Sequence, residues 1–238
     1  MVEPRPIILA IQNDETDAPH LVGRWLEELG FEIQVLRAYA GESVPSEVPS
    51  NVSALIPLGG HMNATEDHLH PWLAPERALL KDAIDRDVPI FAICLGTQLL
   101  AVAGGGRVER AELGEVGIYS VHGVGVTDAI FTFDSELPVA QWHEDQVVEL
   151  PTGATLLASS ELCVNQVYRL GTRSYGVQFH PEIDLEVVKW WEAEADNAFI
   201  DSGKATIAPE FAAAEAELIA VWKPIVQRWG QEVLQHKH

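Results

Sequence analysis

Cysteine is scarce in this sequence. Cys94 and Cys163 are the only thiols in 238 residues. Two are too few for a disulfide framework, and their local settings differ, so both read as free thiols of a reducing, cytoplasmic compartment. Positive charge is also short, with 15 Lys and Arg against 36 Asp and Glu and a net charge of −21. A phosphate backbone is gripped by clustered Lys and Arg, and no basic cluster stands out, which argues against nucleic acid as a partner. No apolar run approaches the ~18 residues that span a bilayer, so no membrane partner is expected. Met1-Val2-Glu3-Pro4-Arg5-Pro6 lacks the basic flank and cleavage site of a signal peptide. Internal repeats and low-complexity segments are missing as well.

What is present is an ordinary globular composition, 47% hydrophobic and 21% charged. The length suits one large domain or two small ones. Residues 6–11 read as a short buried strand. Asp17-Ala18-Pro19 opens a helix whose apolar stripe is Leu21, Val22, Trp25, Leu26 and Leu29, and Gly30 stops it. Further strands are predicted at 31–36, 52–58 and 88–93, with helices at 72–87 and 95–103. This β-α-β-β-α-β-α order implies a parallel sheet with helices on both faces, an α/β fold of three layers. Beyond residue 106 short β runs dominate, at 117–121, 146–149, 155–158, 163–169 and 174–179. Helical stretches follow at 184–200 and 208–235, separated by a linker at 201–204. Pro224 is expected to kink or break the last helix. The organisation expected is one domain over 1–200, with a helical extension, 201–238, packed back on it through Trp222, Ile225, Val226 and Trp229.

Three short motifs carry chemistry. The apolar run Pro89-Ile90-Phe91-Ala92-Ile93 ends at Cys94, and Leu95-Gly96-Thr97-Gln98 begins a helix. A strand-turn-helix elbow of this kind lifts one side chain above the sheet edge, beside a helix N-terminus that favours a thiolate. The Leu95 N–H would point at an oxyanion formed on the attacked carbon. Alone, a buried core cysteine at a strand end fits Cys94 at least as well. Far downstream, His180-Pro181-Glu182 ends the run 174–179. Two residues apart in extended geometry, His180 and Glu182 share a face, and a carboxylate beside an imidazole fixes its tautomer. Alone, that motif fits a surface turn. Gly59-Gly60 closes the strand 52–58 and lets backbone N–H groups converge on an anion, although a lone Gly-Gly is more often a simple turn.

Taken together, in this order and spacing, Gly59-Gly60, Cys94-Leu95-Gly96-Thr97-Gln98 and His180-Pro181-Glu182 resemble a class I (triad) glutamine amidotransferase domain. More narrowly, the chain resembles stand-alone GMP-synthase-like glutamine amidotransferases, from about residue 7 to about 190. Pro71-Trp72-Leu73, Glu115-Val116-Gly117 and Trp142-His143-Glu144-Asp145 add to the likeness. The resemblance implies the flavodoxin-like fold of that family, with a mainly parallel central sheet. It implies Cys94 as nucleophile, His180 as general base and acid, and Glu182 as the group orienting it. It further implies an oxyanion hole from Leu95 and from Gly59 or Gly60, Gln98 against the bound glutamine, and His143, Glu144 and Asp145 at the amino-acid end of the substrate. No cofactor and no metal are implied. Ala92, Thr97 and His61 depart from the family pattern, and the last two are expected to alter the substrate pocket or an acceptor interface.

The activity expected is hydrolysis of the glutamine side-chain amide through a glutamyl thioester. The chain has no room for a synthetase domain, so the ammonia would pass to an acceptor enzyme on a separate chain or to solvent. A γ-glutamyl peptidase using the same three residues, and a non-catalytic regulatory module on the same fold, are the alternatives. His61, Asp67, His68 and His70 lack regular ligand spacing, Gly104-Gly105-Gly106 follows a helix as a C-terminal turn, and Cys163 sits in a β run as core.

Overall fold

The computed structural model describes residues 4–133, 135–194 and 206–235; the expected linker at 201–204 and the boundary near 200 lie outside them. The elements, in chain order, are β1 (Ile7–Gln12), α1 (His20–Glu27), β2 (Glu32–Arg37), β3 (Val52–Pro57), α2 (Leu73–Asp85), β4 (Ile90–Ile93), α3 (Leu95–Ala103), β5 (Arg107–Gly123), β6 (Leu137–Glu149), β7 (Ala154–Ser159), β8 (Val167–Leu170), β9 (Ser174–Val177), α4 (Leu185–Glu194) and α5 (Ala208–Gln235).

The nine strands form one sheet in the order β2-β1-β3-β4-β9-β8-β7-β5-β6. The five strands β2, β1, β3, β4 and β9 run parallel, and β8, β7, β5 and β6 extend the sheet antiparallel. The mixture follows from the connections. Helical crossovers join the parallel strands, while β7, β8 and β9 are joined by turns too short for a crossover. The strands at the centre bury both faces, so their apolar residues divide by a period of two. Ile8, Ala10, Phe91 and Ile93 face the layer of α1, α4 and α5. Leu9, Ile11, Ile90 and Ala92 face α2 and α3.

Two differences from the sequence pattern matter. The β5–β6 hairpin is far longer than the runs 117–121 and 146–149. Its middle carries Glu109, Arg110, Glu112 and Glu115 opposite His143, Glu144 and Asp145, so polar side chains lie where a hydrophobic alternation would have marked a strand. The last helix also runs unbroken through Pro224. Proline removes a single helical N–H there, while Trp222, Ile225, Val226 and Trp229 bury the same face on both sides of it, and tertiary packing holds the helix together. No described helix is long and apolar enough to cross a membrane.

Candidate active site

The carboxyl ends of β3, β4 and β9 meet at one edge of the sheet. Cys94 occupies the turn between β4 and α3, with φ 49° and ψ −109°. That region disfavours a residue with a side chain by about 1–3 kcal/mol. Backbone hydrogen bonds on both sides hold the turn: Cys94 N–H donates to the Val177 carbonyl at 2.9 Å, and Gly96 N–H donates to the Leu58 carbonyl at 3.1 Å. The elbow is therefore tied to β9 and to the end of β3 together. The Cys94 thiol points toward the Trp142 carbonyl at 3.9 Å, and Gln178 Nε2 donates to its sulfur at 3.8 Å.

His180 lies just past β9. The strand ends at Val177, two residues earlier than the sequence implied, and the irregular run beyond it is pinned by other strands. Gln178 N–H donates to the Gln166 carbonyl and His180 N–H to the Ala140 carbonyl, both at 2.9 Å. His180 Nδ1 and Glu182 Oε1 are 2.7 Å apart and both side chains are buried. The Glu182 carbonyl accepts the Leu21 N–H of α1 at 2.9 Å, which fixes the carboxylate's backbone. The imidazole also hydrogen-bonds the Cys94 sulfur. Burial works against its charged form, but Glu182 and Cys94 outweigh this and hold the imidazole pKa well above its usual value. Trp191 of α4 meets the ring edge-on, with centroids 4.9 Å apart.

A cavity of about 430 Å³ opens over Cys94 and His180, and Gly60, Gln98, His143, Glu144 and Asp145 are among its lining residues. Gly60 passes beside Leu95, the first residue of α3. Gln98 Nε2 donates to the Asp145 carbonyl at 3.0 Å. His143 is held at both ring nitrogens, by Glu115 Oε2 and by the Asp145 carbonyl, each at 3.0 Å. Glu144 pairs with Arg110 at 2.5 Å. The candidate residues of the sequence therefore line one cavity, save Gly59, Leu95 and Glu182, which lie directly behind it.

A Glutamine amidotransferase class-I family profile matches residues 15–189. The smaller, glutamine-hydrolysing component of the GMP synthase of Thermococcus kodakarensis is 32% identical over 178 residues, covering 74% of this chain and 89% of that one. The chain belongs to the class I glutamine amidotransferase family. The crystal structure of a glutamine amidotransferase from Methylobacillus flagellatus superposes with a TM-score of 0.86 at 28% identity, covering 98% of this chain and 97% of that one. That of a Thermotoga maritima glutamine amidotransferase gives 0.84 at 28% identity, covering 96% and 100%.

Two of this amidotransferase's departures from the family pattern have different fates. His61 lines the cavity and its Nδ1 lies 2.6 Å from Asp14 Oδ2. Thr97 does not reach the cavity. Its hydroxyl is buried under the elbow, 2.8 Å from the Ala92 carbonyl and 2.7 Å from the Val177 carbonyl, so it braces β4 against β9 instead of altering the substrate pocket. In the histidine-rich segment 61–70, Asp67 pairs with Arg77 at 2.6 Å and His70 packs edge-on against Trp72. Among the described residues, Asp17, His180 and Glu182 bring donor atoms within 4.8 Å of one another. The hydrogen bond between the last two makes this a proton-sharing cluster.

Several residues of the site are not singled out by the sequence. Gln178 reads there only as part of a strand, although the period of two that places His180 and Glu182 on one face places Gln178 there too. Asp17 reads only as a helix opener. Glu115, which also accepts from Gln166 Nε2 at 2.9 Å, stands out only as a family likeness. Trp191 gives no signal apart from the apolar stripe of a helix.

Proposed function

We propose that this amidotransferase hydrolyses the side-chain amide of glutamine with Cys94 as nucleophile. The observation that carries the reading is the strained Cys94 elbow facing a buried His180–Glu182 pair at 2.7 Å, beside a cavity. The Cys94 thiolate attacks the carboxamide carbon, and the oxygen's charge is taken by the N–H groups of Leu95 and of Gly59 or Gly60. His180 protonates the departing nitrogen as the C–N bond breaks, and ammonia leaves. A glutamyl thioester remains on Cys94. His180 then takes a proton from water, the water oxygen attacks the thioester carbon, and glutamate departs with the thiolate restored. Glu182 holds the imidazole in the tautomer and orientation that both steps need. Gln98, His143, Glu144 and Asp145 line the end where the substrate's amino-acid group sits. The likeness to one component of a glutamine-hydrolysing GMP synthase supports an acceptor for the ammonia on a separate chain, in the cytoplasm.

A second substrate class is favoured by the cavity itself. It continues from Cys94 to Arg110 and Glu194, which leaves space for a leaving group larger than ammonia, as in a γ-glutamyl peptide. Ammonia release from free glutamine, run beside a panel of γ-glutamyl peptides with Cys94→Ala as control, tests both. Turnover of glutamine that disappears in Cys94→Ala supports the first reading. Turnover of a peptide alone moves the assignment to the second. If nothing turns over and a glutamine-like electrophile leaves no covalent adduct on Cys94, the chain is a non-catalytic module.

A further inference from the structure

His180 is bordered by a second carboxylate that the reaction above does not use. Asp17 lies in the loop between β1 and α1 and is 7% exposed. A methyl group placed on Gly59 would sit 2.3 Å from Asp17 Oδ1 and 3.1 Å from His180 Cε1. Glycine is therefore the residue that lets this carboxylate close on the Cε1 edge of the ring, while Glu182 holds Nδ1. The Asp17, His180 and Glu182 donor atoms all lie within 4.8 Å of one another.

We propose that Asp17 is a positioning residue of the amidotransferase reaction, clamping the His180 imidazolium from the edge opposite Glu182. The proposal rests on the reading of His180 as the group that moves the proton.

The surroundings of Asp17 fit that role. Thr16 Oγ1 lies 3.3 Å from Asp17 Oδ2, and Trp191 Nε1 donates to the same Thr16 oxygen at 2.9 Å. Trp191 thus holds the Thr16–Asp17 loop with its indole N–H while its ring packs against His180. The charged groups that face Asp17 are few. On its own loop is Asp14, which is paired with His61 from the segment after β3. Across from it are His180 and Glu182, and the elbow's Cys94 lies behind His180. Among the described residues, no lysine or arginine acts on it, so the carboxylate's attraction is directed at the imidazole. Burial, with Asp14 and Glu182 adding to it, pushes the Asp17 carboxyl up to about 7, while His180 pulls the other way. Gaining a proton on His180 therefore favours losing one from Asp17, and the cluster titrates as a unit.

The consequence is a definite sign. An ionised carboxylate beside an imidazolium raises the pH at which the imidazolium loses its proton, so removing it lowers that pH. The test is an NMR titration of the His180 Cε1–H resonance in substrate-free protein, assigned by its loss in His180→Asn. Because no turnover is needed, the result stands even if glutamine is not the substrate. In Asp17→Asn the midpoint is expected to fall by about one pH unit or more, the scale of one charge a few ångströms away, and Asp17→Glu is expected to restore most of it. The basic limb of kcat/KM on the substrate that turns over should move with it. Should Asp17→Asn fail to fold, Asp17→Ser removes the same charge. A folded variant without the charge whose His180 midpoint is unchanged overturns the proposal, as does a uniform loss of activity at every pH with no shift of the limb.

Discussion

Gly96 lies so close to Pro57 that a methyl on its Cα would stand 2.1 Å from the Pro57 carbonyl oxygen. The first turn of α3 is thus pressed directly onto the end of β3, the strand that leads into Gly59 and Gly60. The Gly96 N–H completes the contact by donating to the next carbonyl, that of Leu58. The neighbour is backbone, which cannot swing aside as a side chain does. Gly96→Ala is expected to push the elbow away from β3, to cost about 1–3 kcal/mol as overpacking does, and to lower kcat by more than the stability loss accounts for. Denaturant unfolding and steady-state kinetics on the same preparation check this. Normal kcat in a folded Gly96→Ala would mean the elbow does not need its place against Pro57.

That contact also marks how far the sequence is legible. The central elements are legible because both hydrophobic periodicity and punctuation point to them. The buried run into Cys94 and the helix 95–103 fall where the pattern puts them, since a strand covered on both faces is a continuous apolar run. The β5–β6 hairpin is not legible. Its polar residues face a cavity and one another across the ladder, as with Glu115 opposite His143, so no alternation marks its length. The pairing of His180 with Glu182 is legible from a local motif, because the two are only two residues apart. Asp17 is not, because its partner is 163 residues away and only the fold brings them together.

Glu182 is tested more finely by a substitution that keeps its shape. Glu182→Gln keeps a hydrogen-bond partner for His180 Nδ1 but removes the charge that helps hold the imidazolium. The expected outcome is a fall in kcat on the order of 10²–10⁴ with KM little changed, because the charge acts on proton transfer and not on substrate contact. Steady-state kinetics decide it. A fall of less than tenfold would remove Glu182 from the role of orienting group.

Glu76 offers a pH test unconnected to turnover. It is fully buried on α2, and burial pushes its carboxyl up to about 8 although Asn13 and Arg77 act the other way. Asn13 Nδ2 donates to Glu76 Oε1 and to the Leu58 carbonyl, each at 3.3 Å, while Glu76 Oε2 has no hydrogen-bond partner among the described residues. With its usual pKa of 4.5 in the unfolded chain, the folded state binds the extra proton between about pH 4.5 and 8. Stability from this group is complete below the lower value and is lost as pH rises through the upper one. Glu76→Gln removes that loss. It is expected to be close to the parent in stability at pH 5 and more stable at pH 8.5, by a few kcal/mol at most. Urea denaturation at the two pH values measures the gap, and parallel pH curves for parent and variant would show that Glu76 folds in its ionised form.

The last helix gives a test of whether the chain folds as one unit. Trp222 of α5 donates its indole N–H to the Pro138 carbonyl of β6 at 2.8 Å, and its ring lies 4.5 Å from that of Phe179, the residue before His180. If α5 packs on the same domain as the catalytic sheet, as we propose, losing this anchor must weaken the whole structure and not only the helix. Trp222→Ala is expected to cost about 3–5 kcal/mol, as large aromatic deletions in a core do. Trp222→Phe keeps most of the ring contact and loses the hydrogen bond, at about 1 kcal/mol. In urea, both variants should lower the midpoint of a single transition followed by fluorescence and by Cys94 alkylation alike, with the slope unchanged. A variant in which the helix melts first, while the shielding of Cys94 keeps the parent midpoint, would assign α5 to a separate folding unit.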